Sequence, residues 1–184
     1  MTDSIPRRLA ALALSFALSA IAAATAHAQP ASLSLPNWVE ISPRLDTSGQ
    51  PSAEALAGLA AQGFEAVVYL APPTVGDAVR DEAAIVAKQG LTFIHIPIPF
   101  GNPTDKHFED VAAVLQALKD RKLLVHCQVN MRASTMVFLY RSIALREDPR
   151  EAYKSVSRIW TPEGPWRQLM ERQLRKNGIA FEIF

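Results

Sequence analysis

The stretch Lys122–Ser134, "KLLVHCQVNMRAS", decides the fold. Its first five residues, Lys122 to His126, form a short, mostly apolar run. Such runs belong to strands buried on both faces of a parallel sheet. From Arg132 to about Arg146 the spacing predicts a helix that is apolar on several faces around Met136 to Tyr140, and so a central one. Between strand and helix lies Cys127, the one cysteine of the chain. A strand that turns directly into a helix N-terminus brings free backbone N–H groups to the carboxyl end of the sheet, where α/β folds bind their ligands.

Outward from this segment the same alternation repeats. A first strand is expected over Trp38 to Ile41, then a turn through Ser48-Gly49-Gln50-Pro51. Ser52 is placed to cap a helix carrying Leu56 and Leu59 and ending at Gly63. Phe64 to Leu70 reads as a buried strand, Asp77 to Lys88 as a helix closed by Gly90, and Thr92 to Ile96 as a strand stopped by Pro97 and Pro99. Thr104 caps an amphipathic helix with Phe108, Val111, Leu115 and Leu118 on one face. Asp148-Pro149 opens a helix to about Trp160, and a charged helix runs from Trp166 to Lys176. Strands alternating with amphipathic helices predict an α/β fold with a mainly parallel central sheet flanked by helices.

The N-terminus is of another kind. Arg7-Arg8 precedes an uncharged run from Leu9 to Ala24, and Ala26-His27-Ala28 follows. That order predicts a secretory signal over 1–28, cleaved after Ala28, with residues 29–184 as one mature domain in the periplasm or outside the cell. The run is short for a membrane span, so no stable membrane insertion is expected after cleavage. Without Asp3, Arg7 and Arg8 the basic and acidic side chains balance, which favours neither nucleic acid nor an anionic membrane as partner. The chain is 49% hydrophobic and 20% charged, enough apolar content for a real core. An exported chain with one cysteine forms no internal disulfide. Its thiol is therefore either inert in the core or reactive.

The neighbours of Cys127 favour reactivity. The amides of Gln128, Val129, Asn130, Met131, Arg132 and Ala133 are able to curl around an anion, and the Arg132 guanidinium offers a planar fork to two oxygens. The same positive field stabilises a thiolate. His95, His107 and Cys127 lack zinc-ligand spacing, so no metal and no cofactor is expected.

"HCQVNMRAS" is similar to the signature of cysteine-dependent protein tyrosine and dual-specificity phosphatases. The resemblance is closer to the small bacterial protein tyrosine phosphatase family proteins, related to the phosphatase-like domain of beta-lactamase hydrolase-like proteins. It extends to "SGQP" at Ser48 to Pro51, "AVVYL" at Ala66 to Leu70, "HIPIPFGNPT" at His95 to Thr104 and "VFLYR" after the cysteine loop. The resemblance implies a protein tyrosine phosphatase-like fold and a phosphorylated substrate, a protein or a small molecule. It makes Cys127 the nucleophile, Arg132 the phosphoryl ligand, and Ser134 a hydroxyl that eases release of the thiolate. His126 would orient the loop from behind, or serve only as a hydrogen-bonded strand-end histidine.

Two departures from that pattern stand out. Four residues separate Cys127 from Arg132 where the larger family has five, while Ser134 keeps its place, so the arginine is turned by about 100° on the helix. Asn130 occupies the place of a turn glycine, and asparagine tolerates left-handed backbone. The usual acid of the "PIPF" segment is replaced by Pro99, which leaves Asp105, Glu109 or Asp110 as the proton donor. All three also suit the first turns of a helix for dipole reasons alone. The expected activity is phosphomonoester hydrolysis through a phosphocysteine. The alternatives are rhodanese-like sulfur transfer through a Cys127 persulfide and a non-catalytic anion-binding module.

Overall fold

The computed structural model describes residues 34–184, so the signal and cleavage site expected at 1–28 lie outside the described residues. Elements are numbered in chain order. Strand β5, Leu123–His126, is the middle strand of five, in the order β1-β2-β5-β3-β4. It pairs in parallel with β2, Leu45–Ser48, on one side and with β3, Ala66–Tyr69, on the other. Strand β4, Thr92–His95, extends the parallel run, and β1, Val39–Ser42, closes the opposite edge antiparallel to β2. The mainly parallel sheet matches the sequence reading.

Side chains of β3 and β5 alternate between two cores, as period-two geometry requires. Val68 and Val125 join a large core with helix α4, Met131–Ile143, while Val67 and Leu124 join a smaller one with Leu56, Leu59 and Val86. Each face of β5 is covered, which explains its unbroken apolar sequence. Helix α3, Asp105–Ala117, helix α5, Pro149–Ser157, and helix α6, Gly164–Lys176, pack around α4. Among the described residues no helix is long and apolar enough to cross a membrane.

The caps follow from local chemistry. Thr104 Oγ1 accepts from the His107 amide at 3.3 Å, and His107 Nδ1 accepts from the Thr104 amide at 3.1 Å. Asp148 accepts from the Arg150 amide at 2.8 Å, with Pro149 as first helical residue.

Three elements differ from expectation. Strand β2 falls where the sequence reads as a link and turn, because its Asp46, Thr47 and Ser48 are polar yet buried. Helix α1, Ala53–Ala57, is capped by Ser52 as expected but stops at Gly58, and a short 3-10 turn, Ala60–Gln62, carries the chain to a left-handed Gly63. Helix α2 spans only Glu82–Ala87, because Asp81 adopts left-handed backbone with φ 59° and ends the preceding turn there. That late start places Glu82 at the first turn of α2, where it is buried.

Candidate active site

Cys127 follows β5 directly and is buried. Its amide donates to the Ser48 carbonyl at 3.3 Å, and the Gln50 amide donates to the Gln128 carbonyl at 2.9 Å. Two strand ends thus pin the start of the loop. Gly49 packs so closely that a Cβ there would sit 3.0 Å from the Gln128 carbonyl oxygen. The turn is made by Asn130, whose φ of 70° is left-handed, as its place in the motif leads one to expect. Its side-chain amide donates to the Asn37 carbonyl at 2.7 Å and to Thr47 Oγ1 at 3.1 Å. Asn37 in turn donates to the Val129 carbonyl at 3.2 Å. Thr47 through its side chain, and Ser48 and Gln50 through their backbone, therefore hold the loop.

With its carbonyls held outward, the loop keeps its donors free. Among the described residues no group accepts from the amides of Gln128, Val129, Met131, Arg132 or Ala133. Unpaired amides at a helix start form an anion cradle. Arg132 is the second residue of α4, and its side chain is buried. Its Nε donates to the Ile98 carbonyl at 2.9 Å, and its guanidinium lies 5.0 Å from the centre of the Phe100 ring. No described acceptor binds its two Nη groups, which leaves a two-nitrogen fork for an anion. Phe100 is held from behind, since Trp166 Nε1 donates to its carbonyl at 2.8 Å.

Ser134 does not offer its hydroxyl to the thiol here, because its Oγ donates to the Met131 carbonyl at 3.2 Å. The acid expected at Asp105 fares worse. Asp105 sits between Arg172 Nε at 2.9 Å and Lys176 Nζ at 4.0 Å. Burial pushes its carboxyl up, but bonds from Arg172 and Gln173 and the charges of Arg172 and Lys176 outweigh that and hold it below the ordinary 3.8. A carboxyl kept ionised in this way is a poor proton donor. The other two candidates are also paired, Glu109 with Lys176 and Asp110 with Lys106.

Behind Cys127 stands an arrangement that the sequence did not reveal. His126 points to the opposite face of the sheet, as alternation demands, and its Nε2 lies 2.7 Å from Glu82 Oε1. The two atoms are close without meeting hydrogen-bond geometry. Glu82 Oε2 accepts from Gln50 Nε2 at 2.9 Å. The register Tyr69↔His126 and Tyr69↔His95 stacks three rings, with centroid spacings of 4.7 Å and 4.8 Å, the spacing of the strands themselves. Burial first, and then the Glu82 and Asp77 charges, push the Tyr69 hydroxyl up to about 12. Gln50 lies in the "SGQP" motif, which marked a turn; nothing in the sequence singled out Glu82.

A wide concavity between α6 and the C-terminal residues shares no residue with this loop, and its Arg167 and Arg175 are already paired with Glu171.

A parallel-sheet strand, a cysteine loop with free amides and an arginine at the helix start define the cysteine-dependent phosphatase class. The chain belongs to the family described as "DSP-PTPase phosphatase fused to NAD+ Kinase", whose family model matches residues 35–176. A DUF442 candidate phosphatase from Shewanella putrefaciens CN-32 is 27% identical, covering 78% of this chain and 92% of its own, with a TM-score of 0.72. Tk-PTP in its active form is 25% identical over 77% of this chain and 95% of its own, with a TM-score of 0.60. A Cys-to-Ser form of P. aeruginosa TpbA in complex with pTyr shares the fold at 20% identity, covering 76% and 81% of the two chains, with a TM-score of 0.54. No protein of curated function matches the sequence.

Proposed function

We propose that this phosphatase hydrolyses aryl phosphomonoesters, phosphotyrosine among them, through a phosphocysteine at Cys127. The observation that carries the reading is the loop itself, with five unpaired amides and an Arg132 whose Nη groups have no described acceptor, following directly on a buried thiol at the end of β5. In the first step Cys127 Sγ bonds to phosphorus and the ester P–O bond breaks, the leaving oxygen taking a proton from water. In the second a water oxygen bonds to phosphorus, the S–P bond breaks, and phosphate leaves with the thiolate restored. The amides and Arg132 hold the equatorial oxygens in both steps. An aryl leaving group fits Phe100, which is 40% exposed beside Arg132, and Val129, which is 39% exposed on the loop. The pTyr complex of the similarly folded TpbA supports the same class.

Export by the general secretory route is part of the proposal and rests on the residues of the 1–28 segment. The N-terminal residue of the protein recovered from the periplasm tests it, Gln29 being expected.

The activity is tested with p-nitrophenyl phosphate beside thiosulfate-to-cyanide sulfur transfer. Hydrolysis that vanishes in Cys127→Ser and in Arg132→Ala is the expected result. Hydrolysis that survives Cys127→Ser, or sulfur transfer without hydrolysis, overturns the reading.

A further inference from the structure

The buried Glu82 carboxylate touches two side chains, the neutral amide of Gln50 and the imidazole of His126. Carboxylates are rarely buried without a partner that carries positive charge, because desolvation is otherwise uncompensated. Of the two contacts only His126 is able to supply that charge. Gln50 has a second task, since its backbone amide holds the Gln128 carbonyl. The contacts therefore close a ring: Gln50 to Glu82, Glu82 to His126, His126 through the chain to Cys127 and Gln128, and Gln128 back to Gln50.

We infer that Glu82, held by Gln50, is a positioning residue for the nucleophile, acting through His126 to keep a positive charge one residue behind the Cys127 thiolate. The inference rests on the reading of Cys127 as the nucleophile. Among the described residues the groups around His126 are few. Glu82 faces it from α2, Gln50 stands beyond β2, and Tyr69 of β3 covers its ring with His95 of β4 stacked behind. Tyr69, its hydroxyl pushed up to about 12, stays neutral from pH 5 to about pH 10. On the other face of the sheet the fixed cation of the loop is Arg132, at the start of α4. Among the described residues Glu82 is thus the one contact of His126 whose charge a single substitution removes without changing its shape.

Because Cys127 is the one thiol, its alkylation by iodoacetamide reads the effect directly, and needs no phosphate ester. Rates are measured from pH 5 to pH 10 on the wild type, Glu82→Gln and Gln50→Met, with melting temperatures alongside. Glu82→Gln is expected to slow alkylation about ten-fold near pH 6, with the rates converging at alkaline pH where the thiol is fully ionised. Gln50→Met is expected to shift the profile in the same direction by less, and it carries the test if Glu82→Gln does not fold. Profiles that superimpose on the wild type overturn the inference. So does a loss equal at every pH, which marks displacement of the loop rather than a lost charge. A wild type that alkylates with the expected profile but hydrolyses no phosphate ester refutes the proposed function and leaves the role of Glu82 standing.

Discussion

The side-chain amide of Asn130 bonds to the backbone carbonyl of Asn37, 2.7 Å away and 93 positions earlier in the chain. One residue thereby makes the left-handed turn of the cysteine loop and anchors it to the segment leading into β1. The two tasks separate by mutation. Asn130→Gly keeps the turn and loses the anchor, whereas Asn130→Ala loses the anchor and adds left-handed strain of about 1–2 kcal/mol. Thermal denaturation is expected to rank wild type above Asn130→Gly and Asn130→Ala lowest. Phosphate protection of Cys127 from alkylation should fall in the same order.

Arg132 does not act by charge alone. Its Nε is spent on the Ile98 carbonyl, and this bond aims the remaining two nitrogens. Arg132→Lys keeps the charge but has no Nε to spend and no planar fork. A fall in kcat/KM of about 10²–10³ is expected with p-nitrophenyl phosphate, the size associated with one lost transition-state donor. Activity within a few-fold of wild type would show that charge suffices.

Asp105 is a structural partner of α6, so Asp105→Asn should leave kcat/KM within about two-fold of wild type. The stability cost is expected below about 1 kcal/mol, since the pair with Arg172 is half exposed. Its pH sign follows from the lowered carboxyl. Stability from this pair is present above the ordinary 3.8 and drains away as pH falls through the lower folded value. Wild-type and Asp105→Asn melting temperatures should therefore differ at pH 6 and approach each other well below pH 4. An alkaline limb of the rate profile that disappears in Asp105→Asn would restore the role of proton donor.

The segment that aims Arg132, "PIPFGNPT" at Pro97 to Thr104, contains no ionisable side chain. On the proposed mechanism leaving-group protonation falls to water, and a positioned acid is worth about 10²–10⁴-fold. The expected signature is a steep preference for good leaving groups, p-nitrophenyl phosphate exceeding phenyl phosphate by about 100-fold or more in kcat/KM. Near-equal rates would reveal an acid supplied from elsewhere.

Gly49 is required by space, not by φ. Its missing Cβ leaves room for the Gln128 carbonyl and for Pro36, and both opposing contacts include backbone oxygen that cannot swing aside. Gly49→Ala is expected to cost about 1–3 kcal/mol in denaturant unfolding and to lower kcat, through displacement of the loop. Unchanged stability would mean that β2 and the loop move apart freely.

What was legible in the chain itself is what short-range physics controls. The apolar run of β5, the helix caps at Ser52, Thr104 and Asp148, and the turn at Asn130 each depend on neighbours within a few positions. The cysteine loop was legible for the same reason, because strand, nucleophile, amides and arginine are contiguous. Strand β2 was not, since its polar residues are buried and one of them, Thr47, meets a partner that arrives from the loop after β5. Likewise, the pairing of Glu82 with His126, the hold of Ile98 on Arg132 and the capture of Asp105 by Arg172 join residues 34 to 67 positions apart. A polar side chain carries no periodic mark of its eventual partner. The sequence by itself therefore determined the cysteine loop and the order of its residues, and only the packing of α2, α4 and α6 around the sheet decided which charges stand beside them.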